Sequence, residues 1–185
     1  MTTEAKPPTW TMIKRALADL DQAALIGLVR DLYQLNNDNK VFLSTRFTSV
    51  DVETLAEPYR KAIREQFNPA RGHPKLNLRA ARKALNDFKK ACSDPVAVAD
   101  LLIYYVEQGV ICTNNYGDID ENFYKSLASV YTDAVDLILK QDNATLTEQF
   151  YPRMHGIVLD SSNVGWGFYD FLQEEFYSYY PQADE

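Results

Sequence analysis

The sequence has two histidines, His73 and His155, and two cysteines, Cys92 and Cys112, in 185 residues. That scarcity excludes several chemistries. A disulfide framework needs more cysteines than this, and a His/Cys metal site needs ligands at close spacing, which these four residues lack. A di-metal helical bundle would require Glu-x-x-His pairs, and neither histidine stands in one. Buried free thiols are the expected state of both cysteines. His73 lies among prolines, glycine and arginines in NPARGHPKLN, where a solvated surface residue is expected rather than a base.

Other signatures are missing as well. There is no Gly-x-Ser-x-Gly elbow, no phosphate-binding glycine loop, and no cysteine with an evident histidine partner. No catalytic residue, metal or cofactor is therefore assigned. The stretch NNYGDIDENFY, residues 114–124, invites comparison with a calcium loop. Counted from Asp118, however, the position that must be glycine is Phe123 and the position that must be glutamate is Ser129; counted from Asn114 they are Ile119 and Lys125. A helix start in which Asp118, Asp120 and Glu121 meet free backbone amides accounts for the acids. No alternation of apolar and polar residues and no Asn-Gly hairpin signal occurs, so strands are not expected.

What the chain does contain is helical periodicity and a polarised charge. The run from Val96 to Cys112, VAVADLLIYYVEQGVIC, is apolar on nearly every side. A helix of that kind is buried by neighbours on several faces. Asp100 and Glu107 would be costly in lipid, so the run is expected to be a core helix and not a membrane span. Ser93, Asp94 and Pro95 supply its start signal, and Gly109, which lowers helix propensity, predicts either a close approach by a neighbouring helix or a weakening near the helix end. The chain is thus expected to be all-α, with seven to nine helices packed around 96–112 as an irregular antiparallel bundle or a helical-repeat-like stack. Residues 1–9 are expected to be a disordered lead, 10–181 the single domain, and 182–185 an acidic tail. Thr11 is expected to cap a first short helix and Asp21 a second. With the helix carrying Val41, Phe42 and Phe47, these should form a small antiparallel unit. No basic-then-apolar leader is visible, and a cytoplasmic protein is expected.

The net charge is -7. It is unevenly placed: Arg60 to Lys90 holds ten Lys/Arg against Glu65 and Asp87, whereas the flanking segments are acidic. Arg60, Arg64, Arg71, Lys75, Arg79, Arg82 and Lys83 are the candidate anion-binding residues, should the basic middle contact nucleic acid or another polyanion. The alternative use of such a dipole is internal, with the segments complementing each other. An overall pI near 4.9 weighs against nucleic acid. Asp100, Tyr104 and Glu107 fall on one face of the core helix. The carboxylates are separated by about 10.5 Å, too far to share a proton, and Arg79 and Arg82 are the expected ionic partners. A small-molecule pocket would need Asp100, Tyr104, Glu107, Trp166 and Asp170 to converge. The aromatic C-terminal helix, with Trp166, Phe168, Phe171, Phe176 and Tyr177 to Tyr180, is expected to be mainly core; exposed tyrosines there would favour a homodimer.

Three motifs, LLxYYVExGV, YGDIDExFYxSL and GWGFxDxL, occur in this order. On Tyr104, Tyr105, Glu107, Gly109, Tyr116, Gly117, Asp118, Asp120, Phe123, Tyr124, Gly165, Trp166, Gly167 and Asp170, the chain resembles an uncharacterised bacterial family known only as a domain of unknown function. That resemblance implies an all-helical domain of about this length, and no activity is assigned to the family that it could transfer. The reading that follows is a non-enzymatic helical module that binds another protein.

Overall fold

Polar side chains start seven of the nine helices found among the described residues. A computed structural model describes residues 7–49 and 51–180. Most of the expected lead, 1–6 of 1–9, and the acidic tail 182–185 lie outside them. The helices are α1 (Trp10–Ala18), α2 (Gln22–Leu35), α3 (Asn37–Phe47), α4 (Val52–Phe67), α5 (Leu78–Ala91), α6 (Pro95–Tyr116), α7 (Glu121–Lys140), α8 (Ala144–Asp160) and α9 (Phe168–Tyr179). Asp21, Asn36, Asp51, Asn77, Asp94, Asp120 and Asn143 each accept a hydrogen bond from a first-turn amide. A short acceptor at this position satisfies an amide that the helix itself leaves free. The first helix departs from expectation: it begins at Trp10, with Thr9 and not Thr11 at the cap position and no side-chain bond there. Pro58 and Pro152 sit inside α4 and α8, which continue through them.

The core helix runs longer than its apolar stretch, from Pro95 to Tyr116, because Asp94 and Pro95 open it and Gly117, at φ 89°, closes it. Leu101, Leu102, Ile103, Tyr105 and Val106 are fully enclosed. Helices α4, α5, α7 and α8 all pack on α6, and α9 closes the far side by packing on α7 and α8. By length and composition α6 could span a membrane, but these neighbours bury most of it within the protein. Gly109 is where α7 comes closest: a Cβ there would lie 2.3 Å from Cδ2 of Leu127. Around this contact Phe67 meets Tyr105 and Phe123 edge-on, with ring centres 5.1 and 5.5 Å apart. Such aromatic pairs add about 0.5–1.5 kcal/mol beyond the area they bury.

The N-terminal helices do not form the closed unit their stripes suggest. Helix α2 packs on α3, and α3 reaches the body through α5, but α1 has no substantial packing partner. Neither α1 nor α2 contains a buried residue. Their apolar faces have the right periodicity to be covered, yet with α3 packed on α2 the stripe residues Leu25, Leu28, Val29, Leu32 and Tyr33 remain exposed. The C-terminal aromatics are turned the other way. Phe168, Leu172 and Phe176 are buried, and Phe176 stacks on Tyr180 at 4.7 Å and on His155 at 5.2 Å. Tyr180 is buried and Tyr177 half-buried, while Tyr179 is exposed, so this tyrosine face is only partly taken up by the core.

Candidate functional site

The polar face of α6 is clamped between α4 and α8. Arg153, on α8, donates from Nε and Nη2 to the two carboxylate oxygens of Glu107 at 2.7 and 2.8 Å, and from Nη1 to Asp100 at 2.5 Å. It therefore spans the two carboxylates that are too distant to meet each other. Asp100 also receives Arg60 from α4 through its second oxygen. Arg64, one turn further along α4, donates to the Tyr104 hydroxyl at 3.3 Å and pairs with Glu57. The Arg60 guanidinium lies 5.1 Å from the centre of the Tyr104 ring.

These contacts replace the expected ones. Arg79 and Arg82 do not reach Asp100 or Glu107: Arg82 donates to the hydroxyl and carbonyl of Ser126, and Arg79 is exposed. The reason is geometric, since α4 and α8 flank the acidic face of α6 whereas Arg82, on α5, faces α7. Arg153 escaped the sequence reading altogether. It nevertheless carries a cue, being the one Lys or Arg between residues 141 and 185, in an acidic stretch and on a mostly apolar helix. Burial works against the Arg153 charge, and the bonds to Glu107 and Asp100 more than offset it, so its pKa is raised.

Chemically the cluster is balanced. Three arginines, Arg60, Arg64 and Arg153, meet three carboxylates, Glu57, Asp100 and Glu107. Asp100 holds two guanidiniums and Glu107 is held by two bonds from one. Open clefts flank the cluster, one of about 350 Å³ between α4, α6 and α8 and one of about 250 Å³ beside Glu107 and Ile111. Trp166 lines neither. It borders a separate groove of about 400 Å³ with Lys125, Ala128 and Phe171, and Asp170 lies exposed in the first turn of α9. The five residues of the conjectured pocket do not converge.

Three of the other eight basic residues between 60 and 90 have an acidic partner among the described residues. Lys75 pairs with Glu65, Lys83 with Asp87 and Lys89 with Asp133. Of the seven candidate anion-binding residues, only Arg71 and Arg79 make no hydrogen bond or ion pair among the described residues. Arg60, Arg64 and Lys89 pair with acids outside the segment, at Asp100, Glu57 and Asp133, whereas Lys75 and Lys83 pair with the segment's own two acids.

The YGD and GWG motifs meet in space. Asp118 accepts from the Tyr124 hydroxyl at 2.8 Å, Tyr124 bonds Thr113 at 2.6 Å, and the Asp118 carboxylate lies against Gly165 so closely that a Cβ there would come within 3.1 Å. The two loops thereby touch at Asp118 and Gly165, next to Trp166, which is exposed and held at φ 61°. A bulky residue in the left-handed region costs about 1–2 kcal/mol. Both thiols are buried; burial pushes Cys112 up to about 11 and raises Cys92 in the same direction. Burial thus disfavours the thiolate, the reactive form, at both positions. Among the described residues no group of three or more His, Cys, Asp or Glu side chains gathers to hold a metal ion.

With each of these clusters engaged in holding helices and loops together, the surface that has no internal use is the arm formed by α1 and α2. Thirteen of the twenty exposed large apolar side chains among the described residues lie between Trp10 and Phe47. Trp10 is 67% exposed, Ile26 62%, and Val29 and Leu32 45% each. Such a surface projecting from an all-α body defines a helical protein with an uncovered apolar arm. The chain belongs to DUF6155, a family of unknown function, whose model matches residues 10–176 and so takes in the arm as well as the body. No curated protein and no solved structure matches the chain.

Proposed function

We propose that this is a non-enzymatic helical interaction module that docks through its α1–α2 arm, on a body held together by the α4–α6–α8 ion cluster. The observation carrying this reading is that two amphipathic helices contain no buried residue while the rest of the chain has an enclosed core. Soluble chains seldom expose a contiguous apolar patch beyond about 300–600 Å², and larger ones mark interaction sites. The ion cluster argues in the same direction, because carboxylates already paired with arginines suit scaffolding better than catalysis. Free thiols at Cys92 and Cys112 suit a reducing compartment, and we place the module in the cytoplasm.

The test is the double variant Val29→Glu/Leu32→Glu in dilute solution. Exposed substitutions typically change stability by no more than about 0.5 kcal/mol, so its melting temperature should stay within about 2 °C of the parent for a chain of this size. Binding of a hydrophobic dye such as anilinonaphthalene sulfonate should fall to near background. A drop in melting temperature of about 10 °C or more, equivalent to several kcal/mol, would place the arm inside the folded core and overturn the reading.

A further inference from the structure

We infer that the occupant of the arm is a second copy of this chain, the two arms packing on each other about a twofold axis; this rests on the arm being a docking element. Area is the first argument. The eleven exposed large apolar residues from Trp10 to Leu35 present together on the order of 1,000 Å², against about 800 Å² that each partner contributes to a standard interface. One arm therefore offers enough apolar surface to supply half of a stable dimer.

Spacing is the second argument. Leu25, Leu28, Leu32 and Leu35 recur at intervals of three, four and three, the seam that one helix offers to another of its kind, with Val29 and Tyr33 widening it. A leucine seam fits a like seam by interdigitation. In a twofold interface the same patch serves both sides and the assembly closes at two copies.

Charge is the third. From Trp10 to Leu35 the arm carries Lys14, Arg15 and Arg30 against Asp19, Asp21 and Asp31, a balance of zero, although the whole chain stands at -7. Two neutral arms meet without the repulsion that the rest of the surface would impose. A helix that lies on membranes wants a polar face rich in lysine and arginine, and an equal number of aspartates does not provide one.

The experiment is sedimentation equilibrium of the full chain from about 0.1 to 100 µM, since standard-sized interfaces are micromolar at their weakest. It is paired with Trp10 fluorescence in a Trp166→Phe background, because Trp10 and Trp166 are the only tryptophans. The expected mass rises toward twice 21.2 kDa, with a blue shift of Trp10 emission at the same midpoint. Val29→Glu/Leu32→Glu should move that midpoint at least tenfold toward higher concentration. A dimer that persists unchanged in the double variant overturns the inference, because it forms through another face. A chain that stays monomeric, with Trp10 open to a soluble quencher and dye binding dependent on Val29 and Leu32, also overturns it but leaves the docking reading standing. Shielding of Trp10 in the monomer itself would overturn both, since the arm would then be covered by its own chain. A blue shift produced by anionic phospholipid vesicles, with no change of mass in their absence, would assign the arm to a membrane surface and overturn the second copy.

Discussion

Arg153→Met should lower the unfolding free energy by about 2–3 kcal/mol, below the roughly 3–5 kcal/mol for breaking a fully buried pair because this cluster is partly open to solvent. Arg153 is 33% exposed, with Asp100 at 22% and Glu107 at 26%. Its loss leaves Glu107 with neither of its two bonds and Asp100 with Arg60 alone. The measurement is the denaturant midpoint of Arg153→Met, Glu107→Gln and the combined variant. If Arg153 and Glu107 act as one unit, the double variant should lose clearly less than the two single losses added together. A single-variant loss under about 0.5 kcal/mol would put the cluster among ordinary surface pairs and remove its role in holding α4 and α8 to α6.

Gly109→Val is expected to cost about 2–3 kcal/mol through overpacking. A Cβ at position 109 would overlap Cδ2 and Cδ1 of Leu127, at 2.3 and 2.6 Å, and Leu127 is itself fully enclosed. A melting temperature lower by roughly 4–12 °C would correspond to that loss in a chain of this size. Gly109→Ala should lose less, because alanine regains about 1 kcal/mol of helix propensity. A neutral valine variant would mean that α7 can withdraw from α6 at little cost, and the central packing would need to be redrawn.

Those two positions also mark what could and could not be read from the sequence. Gly109 was legible because a glycine inside an otherwise apolar helical run has a short list of explanations, and close approach is one of them. Asp94, Asp120 and Asp21 were legible for the same reason, since a cap acts within three residues of where it stands. The α6 core followed from an apolar run too uniform to face water. Arg153 was not legible as a partner: Glu107 and Asp100 lie 46 and 53 positions away, and nothing local indicates which flanking helix comes to lie against their face. Arg79 and Arg82 stand on the basic helix that precedes α6 in the chain, yet α4 and α8 lie against its acidic face. The arm shows the same limit from the other side. Periodicity identified the stripes on α1 and α2 and implied that they would be covered, but an amphipathic face looks the same whether its cover is a neighbouring helix or another molecule.

The separation of arm from body is the claim on which the rest depends, and amide hydrogen exchange of the full chain at two protein concentrations tests it most directly. Amides of α6 should exchange at the slow rate set by global unfolding at both concentrations, and those of α1 and α2 should exchange rapidly in dilute solution and slow as concentration rises. Protection of α1 and α2 equal to that of α6 and independent of concentration would contradict the account, because the arm would then be part of the folded core of a single chain.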